Sequence, residues 1–425
     1  MGSTLRRLSA IAATTVLACA TLAVPQAGAV GVGSAACLDE SAPLTVEDQR
    51  LERRAPQQIL RRSGFDAVRP AFLRELCRAD SLASAEHVVG KHARKLWKTA
   101  VNRAQSRARG GELSREDDRP LYWARLSLDT ALRQWQPRFP LSAEERAGLI
   151  QRLETSSRGQ DTITFPKGEG VKRILVTGFD PFTLDRDIRI GNPSGAAALA
   201  LDGTSVQTAS GPARIEAAIF PVRWRDFADG TVERTLLPHF AEGPAQVDMF
   251  ATISQGRPEQ FDIERFNGAW RGGYPDNENA SETGLVPIPA GVPSVTPQPQ
   301  WTATSLPYTD IVNADTGRFP VLDNTRVTEI PVGAADPVVR DDGPTPGSQA
   351  RQGGGGNYLS NEIAYRATLL RDALGLDVPG GHIHTPVLRF GEGNTDAVTD
   401  PAYERNRSDI TAQIRAIVTV GAGTL

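Results

Sequence analysis

The sequence predicts an α/β protein, a twisted and mostly parallel sheet flanked by helices, preceded by an all-helical N-terminal extension. Residues 45–160 repeat apolar side chains at helical spacing between capping signals. From about residue 172 the pattern changes to short apolar runs that alternate with helical stretches, as in a parallel sheet. Of the 425 residues, 40% are hydrophobic and 23% charged, which suits a packed core and excludes a disordered, collagen-like or coiled-coil chain. The length fits two or three domains, or one large domain with an extension.

The chain opens with the pattern of an export leader. Arg6 and Arg7 precede a moderately apolar stretch from Leu8 to Val24, and Pro25-Gln26-Ala27-Gly28-Ala29 supplies an A-x-A site. This is the layout of a secretory signal peptide over 1–29, cleaved after Ala29, so a secreted protein is expected. A lipoprotein reading would use Cys19, and a twin-arginine reading would rest on Arg6-Arg7 alone. No later run of 18 apolar residues predicts a membrane span. Cys37 and Cys77 remain after the leader, and an even pair in an exported chain is the arrangement expected for one disulfide. Two buried free thiols are the alternative. Abundant Arg and Ala with scarce Lys point to a GC-rich bacterial genome.

Residues 30–165 are expected to form a separate helical unit. Ser142-Ala143-Glu144-Glu145 reads as a capping box before Leu149, Ile150 and Leu153, and Ser114-Arg115-Glu116-Asp117 resembles another before Leu121. Residues 86–108 form a third helix, with Val89, Trp97 and Val101 on one side and Lys91, Arg94, Lys95, Lys98, Arg103 and Arg107 on the other. The segment 45–115 carries 16 Lys+Arg against 8 Asp+Glu, while the whole chain is at −3. A solvated helix face explains this asymmetry, as does a basic face that docks on the acidic remainder or on an anionic surface. No aromatic ladder accompanies the basic residues, and the overall charge is near neutral, so no nucleic-acid partner is expected.

The second part, 172–425, contains four strands, at 173–179, 215–220, 247–253 and 382–388. Helices are expected at 194–201, 224–237, 358–373 and 400–418. Many of the 30 prolines and 40 glycines fall late in the chain. Between them, 279–356 shows little periodicity and reads as a long irregular insertion, a flap near the site or a partly disordered segment.

Three features could carry chemistry. Gly353-Gly354-Gly355-Gly356 runs into a helix whose first turn holds Ser360, where free backbone N–H groups favour a nucleophile or an oxyanion. A flexible loop is the plainer reading of those glycines. His382 and His384 alternate on a strand and share a face. That spacing suits a metal, but no third ligand is evident, so one histidine is read as a general base and the other as incidental. Glu264 ends an apolar run beside Arg265. A Ser, a His and a Glu on such a scaffold could form nucleophile, base and orienting acid.

Several motifs resemble one known family. Gly178-Phe179-Asp180-Pro181-Phe182, then Asn192-Pro193-Ser194, then Leu201-Asp202-Gly203 is similar to the opening of pyroglutamyl peptidase I (pyrrolidone-carboxylate peptidase). Gly256-Arg257, Ile263-Glu264-Arg265 and Pro275-Asp276-Asn277-Glu278 continue in that family's order. Tyr358-Leu359-Ser360-Asn361 lies where the family carries its nucleophile, and Ile383-His384-Thr385-Pro386 where it carries its histidine. The resemblance covers about 172–420 and leaves 30–165 without a counterpart. It implies a pyroglutamyl-peptidase-like fold and an omega-peptidase that needs no cofactor and removes an N-terminal pyroglutamyl group from a peptide. Glu264, Ser360 and His384 would be catalytic. Phe179, Phe182, Tyr358 and Leu359 would bind the lactam ring.

Three departures accompany it, the first being that the spacing from Glu264 to Pro275 is one residue short of the family's. The nucleophile is Ser360 where the family has Cys, and the family's arginine before the PDN turn is Gly273. A thiol exposed outside the cell would oxidise, which favours serine there. The alternative reading is a catalytically inactive member acting as a binding or surface interaction protein.

Overall fold

The computed structural model describes residues 37–107, 111–166 and 170–425. The leader lies outside the described residues. Among the described residues, no helix is long and apolar enough to cross a membrane.

Six helices come first: α1 (Val46–Gln49), α2 (Arg54–Ser63), α3 (Val68–Leu76), α4 (Leu82–Ala104), α5 (Arg119–Gln134) and α6 (Ala143–Ser157). The Ser142 capping box forms. Ser142 Oγ accepts from Glu145 N at 3.1 Å, and Glu145 accepts from Ser142 N at 2.7 Å. The box expected at Ser114 does not. Asp117 turns its carboxylate to the Arg119 guanidinium, at 2.6 and 2.8 Å, and α5 begins at Arg119 with Pro120 in its first turn. On α4, Lys91, Arg94, Lys95 and Lys98 are exposed. Arg103 departs from that face. It is buried and donates to the carbonyls of Leu113, Ser114, Arg115 and Asp117, gathering the loop into α5. Cys37 and Cys77 are joined, with Cα atoms 5.8 Å apart.

The second part runs β1 (Lys172–Phe179), α7 (Pro193–Leu201), β2 (Thr204–Thr208), β3 (Gly211–Phe220), α8 (Trp224–Ala228), α9 (Thr231–Phe240), β4 (Met249–Gln255), β5 (Phe261–Glu264), β6 (Phe266–Gly268) and β7 (Trp270–Gly272). Then come β8 (Thr283–Leu285), β9 (Trp301–Ala303), α10 (Tyr308–Asn313), β10 (Val321–Asn324), β11 (Val327–Ile330), β12 (Val338–Arg340), β13 (Gln349–Gln352), α11 (Leu359–Ala373), β14 (Gly380–Thr385) and α12 (Pro401–Gly421).

Seven strands form the main sheet in the order β10-β5-β14-β4-β1-β3-β2. Strands β3, β1, β4 and β14 run parallel, while β2 and β5 are antiparallel to their neighbours β3 and β14. Alternate residues serve opposite faces. Ile174 and Val176 of β1 join the core on the side of α7 and α12. Leu175, with Phe220 and Phe250, joins the core that holds Val232 of α9 and Ile363 of α11. Gly178 permits the close approach of β1 to α7, since a Cβ there would stand 2.3 Å from Ser194 O.

One expectation needs correction. The insertion 279–356 is ordered. Its strand β10 pairs in parallel with β5 and extends the main sheet, and β11 pairs with β12 and β13 as an antiparallel sheet. The helical extension shares a buried core with the α/β part. Ile59, Trp97 and Leu128 belong to the same buried cluster as Ile174, Ala197 and Met249. Trp97 also donates from Nε1 to Asp202, at 3.2 Å. Helix α4 packs on α6 and also on α7 of the α/β part, within one continuous core.

Candidate active site

The carboxyl ends of β1, β3, β4 and β14 all point to one edge, where α/β sheets place ligands. Phe179, Val222, Gln255 and His384 lie at or just beyond those ends. Strand β5 enters antiparallel to β14 in the register His382↔Glu264 and His384↔Asp262. Glu264 and His384 are therefore diagonal neighbours on one face. The bond follows: His384 Nδ1 lies 2.6 Å from Glu264 Oε1, with Glu264 almost fully buried. Asn324 of β10 donates to the other carboxylate oxygen at 2.6 Å. A carboxylate accepting at Nδ1 leaves Nε2 as the free, basic nitrogen.

His382 is held differently. Its two ring nitrogens each lie 2.8 Å from a hydroxyl, those of Thr252 and Ser254. Burial first, and the neighbouring His384 second, hold its pKa well below the usual histidine range. It is a neutral core residue whose nitrogens are taken, so the pair is not arranged as His-x-His ligands. Among the described residues no group of three or more His, Cys, Asp or Glu gathers as metal ligands.

The glycine run is a tight turn rather than a flexible loop. Gly353 and Gly356 exchange backbone hydrogen bonds at 2.8 and 3.0 Å. The run is glycine because it packs on the dyad. A Cβ on Gly354 would stand 2.0 Å from Glu264 Oε2, and one on Gly355 would stand 3.3 Å from His384 Cε1. Asn361 anchors the helix that follows, bonding both N and O of Gly268 at 2.9 and 2.7 Å.

Ser360 sits in the first turn of α11, where a small slot meets a larger cleft. The slot is lined by Phe179, Phe182, Val222, Tyr358 and Leu359, and its centre holds about 20 Å³. The cleft holds about 400 Å³ and is lined by Glu264, His384, Arg257, Arg326 and the glycine turn. The Phe182 and Tyr358 rings stand 6.2 Å apart, tilted by 33°. Tyr358 donates its hydroxyl to Pro275 O at 3.1 Å, and burial pushes its pKa above the usual tyrosine range. The Ser360 hydroxyl donates to Gly355 O at 3.2 Å, not to His384. The structure thus joins Glu264 to His384 and places Ser360 on the same cleft.

Among the described residues the guanidinium groups on the cleft are those of Arg257 and Arg326, and position 273 offers none. Gly273 has φ +79°, the left-handed region that favours glycine. Arg271, two residues earlier, pairs with Glu362 at 2.6 and 2.7 Å, away from the cleft. Sequence reasoning missed Gln255 and Asn324. Gln255 lines both slot and cleft, and among the described residues no donor reaches its buried Oε1. Its place beside Gly256-Arg257 was the available signal. Asn324 had none, because it lies in the segment of weak periodicity.

Fold and site define an α/β protein with a buried Glu–His dyad beside a serine at a helix N-terminus. The chain belongs to the PA0049 family: the model of the PA0049 N-terminal domain matches residues 27–154, and that of the PA0049 C-terminal domain matches 173–298 and 319–389. An uncharacterized protein, PA0049 of Pseudomonas aeruginosa, is 35% identical over 93% of this chain and 92% of its own. Similar solved structures include a pyrrolidone carboxyl peptidase of Pyrococcus furiosus, 20% identical with a TM-score of 0.38 over 58% of this chain and 98% of that one. Pyroglutamyl peptidase I of Bacillus amyloliquefaciens is 21% identical, with a TM-score of 0.37 over 59% and 97%. Likeness of that degree assigns no activity here.

Proposed function

We propose that the protein is a pyroglutamyl-peptidase-like amidohydrolase, exported by its leader, in which Ser360 is the nucleophile, His384 the base and Glu264 the acid that orients it. The observation that carries this reading is the 2.6 Å bond between Glu264 and His384 on a cleft shared with Ser360. A small uncharged lactam suits a slot with aromatic walls, and the peptide beyond it suits the polar cleft. The unpartnered Oε1 of Gln255 would accept the lactam N–H. Ser360 Oγ attacks the pyroglutamyl carbonyl as His384 Nε2 takes its proton, and the first N–H groups of α11 face the developing oxyanion. His384 then protonates the departing amine. Water attacks the acyl-serine by the same route in reverse, releasing pyroglutamate.

A second reading, a protein that binds the group without turnover, draws support from one observation: the Ser360 hydroxyl is turned to Gly355 O. A fluorogenic pyroglutamyl amide added to the full chain decides between them. Hydrolysis that disappears in His384→Ala supports the enzyme. Binding of 2-pyrrolidone without hydrolysis supports the binder. Neither binding nor hydrolysis overturns both.

A further inference from the structure

Three parts of the slot wall, the 179–182 segment, Asn192 and Val222, are fastened from behind through buried titratable side chains of the helical extension. Asp180 separates the two slot phenylalanines. Arg158 donates to its carboxylate at 2.9 Å, and Arg125 pairs with it at 2.6 Å. Asn192, which lines the slot, donates its backbone N–H to Asp118 at 2.8 Å and its side-chain amide to Asp180 O at 3.0 Å. The PDN turn supplies Asn277, which ties Pro181 O at 2.9 Å and Val222 O at 3.0 Å. Asn277 is itself gripped by Glu47 at 3.2 Å and by Arg50, which donates to its carbonyl at 2.5 Å. All five extension residues are at least 97% buried.

The geometry points to Asp118, Arg125, Arg158, Glu47 and Arg50 as positioning residues of the slot, so that the helical extension is a working part of the binding site. None touches the slot itself, and each acts through Asp180, Asn192 or Asn277. The physical reason is reach. Phe182 and Asn192 lie on connections beyond β1, where no strand pairing fixes them, and buried bonds to charged groups hold such segments more firmly than neutral ones. The inference rests on the proposed lactam slot only for the identity of the ligand.

The test uses full-length Arg158→Lys and Arg50→Lys, each of which loses the planar fork of donors. Arg50 also pairs with Asp185, which is half exposed, so its variant is the one to use if Arg158→Lys fails to fold. Hydrogen exchange should quicken at 180–183, 192–195 and 276–279 and stay unchanged in β1 and β4. The dissociation constant for 2-pyrrolidone should rise roughly tenfold or more. In a Ser360→Cys background the rate of thiol alkylation should not change, because the nucleophile is untouched. Unchanged exchange in those segments overturns the inference, whether or not the lactam binds. So does exchange that rises evenly through the extension and the sheet, or alkylation that falls in step. A wild-type protein that binds no lactam removes the pyroglutamyl reading and leaves the exchange result to decide this one.

Discussion

Replacing Ser360 by cysteine tests whether the dyad serves the nucleophile. Glu264 and His384 are already bonded at 2.6 Å, and position 360 lies in the first turn of the 15-residue helix α11. A thiolate there gains from the helix terminus, up to about 2 kcal/mol or about 1.5 pKa units. An imidazolium at His384 would lower the pKa by about another unit or more. Taking about two units in all, from 8.5 to about 6.5, the thiolate fraction at pH 6 rises roughly 75-fold, while the lower basicity takes back about six- to tenfold. The net expectation is alkylation by iodoacetamide about tenfold faster than a free cysteine at pH 6, and about two- to fourfold faster at pH 7. The rate–pH profile of alkylation should have its midpoint near or below pH 7 and move upward when His384→Ala is added. Cleavage of a pyroglutamyl amide should appear or increase, capped by the missing arginine at Gly273, since one absent oxyanion donor costs about 10²–10³ in rate. A folded variant whose thiol titrates near 8.5, is indifferent to His384→Ala and cleaves nothing would refute the assembled triad.

Two further outcomes concern stability. Burial first, and the charge of Glu216 second, push the pKa of Asp202 up to about 7. Its folded pKa exceeds the unfolded value, so its contribution is fully present below about pH 4 and is lost as pH rises through about 7. Melting temperatures of Asp202→Asn should therefore gain on the wild type by several degrees between pH 5 and pH 8, and a constant difference would refute this. Removing the Cys37–Cys77 bridge, which spans 40 residues, by Cys37→Ser with Cys77→Ser should cost about 3–4 kcal/mol in denaturant unfolding under oxidising conditions, and equal midpoints would show the thiols unjoined.

The strands β1, β3, β4 and β14 were legible because strands buried on both faces read as near-continuous apolar runs, such as Ile174-Leu175-Val176. The members of the candidate dyad and the serine were legible as motifs, and the antiparallel entry of β5 shows how two residues 120 positions apart come to touch. Strand β10 was not legible. It is four residues long, Leu322 is exposed, and nothing local marks Asn324 as a partner of Glu264. The union of extension and sheet was hidden for another reason. Arg125, Arg158 and Glu47 look like surface charges, and their partners Asp180, Arg223 and Asn277 lie in the α/β part. A charge is read as solvated until the group that neutralises it is known.

The place of β14 sets an order of events in folding. It is the last strand in the chain, yet it lies between β4 and β5 in the sheet. Until it is made, the sheet is two pieces, β4-β1-β3-β2 and β10-β5, and the apolar edge Met249-Phe250-Ala251-Thr252-Ile253 stands open, a template for strands of other chains. Strands β5 and β10 can pair with each other before then, but nothing joins that pair to β4. The contact between Glu264 and His384 is accordingly among the last to close, a long-range pairing that waits for the C-terminal part of the chain. A chain cut short before Gly380 would lose not a flank of the sheet but its keystone, and with it any means of bringing the two halves of the site together.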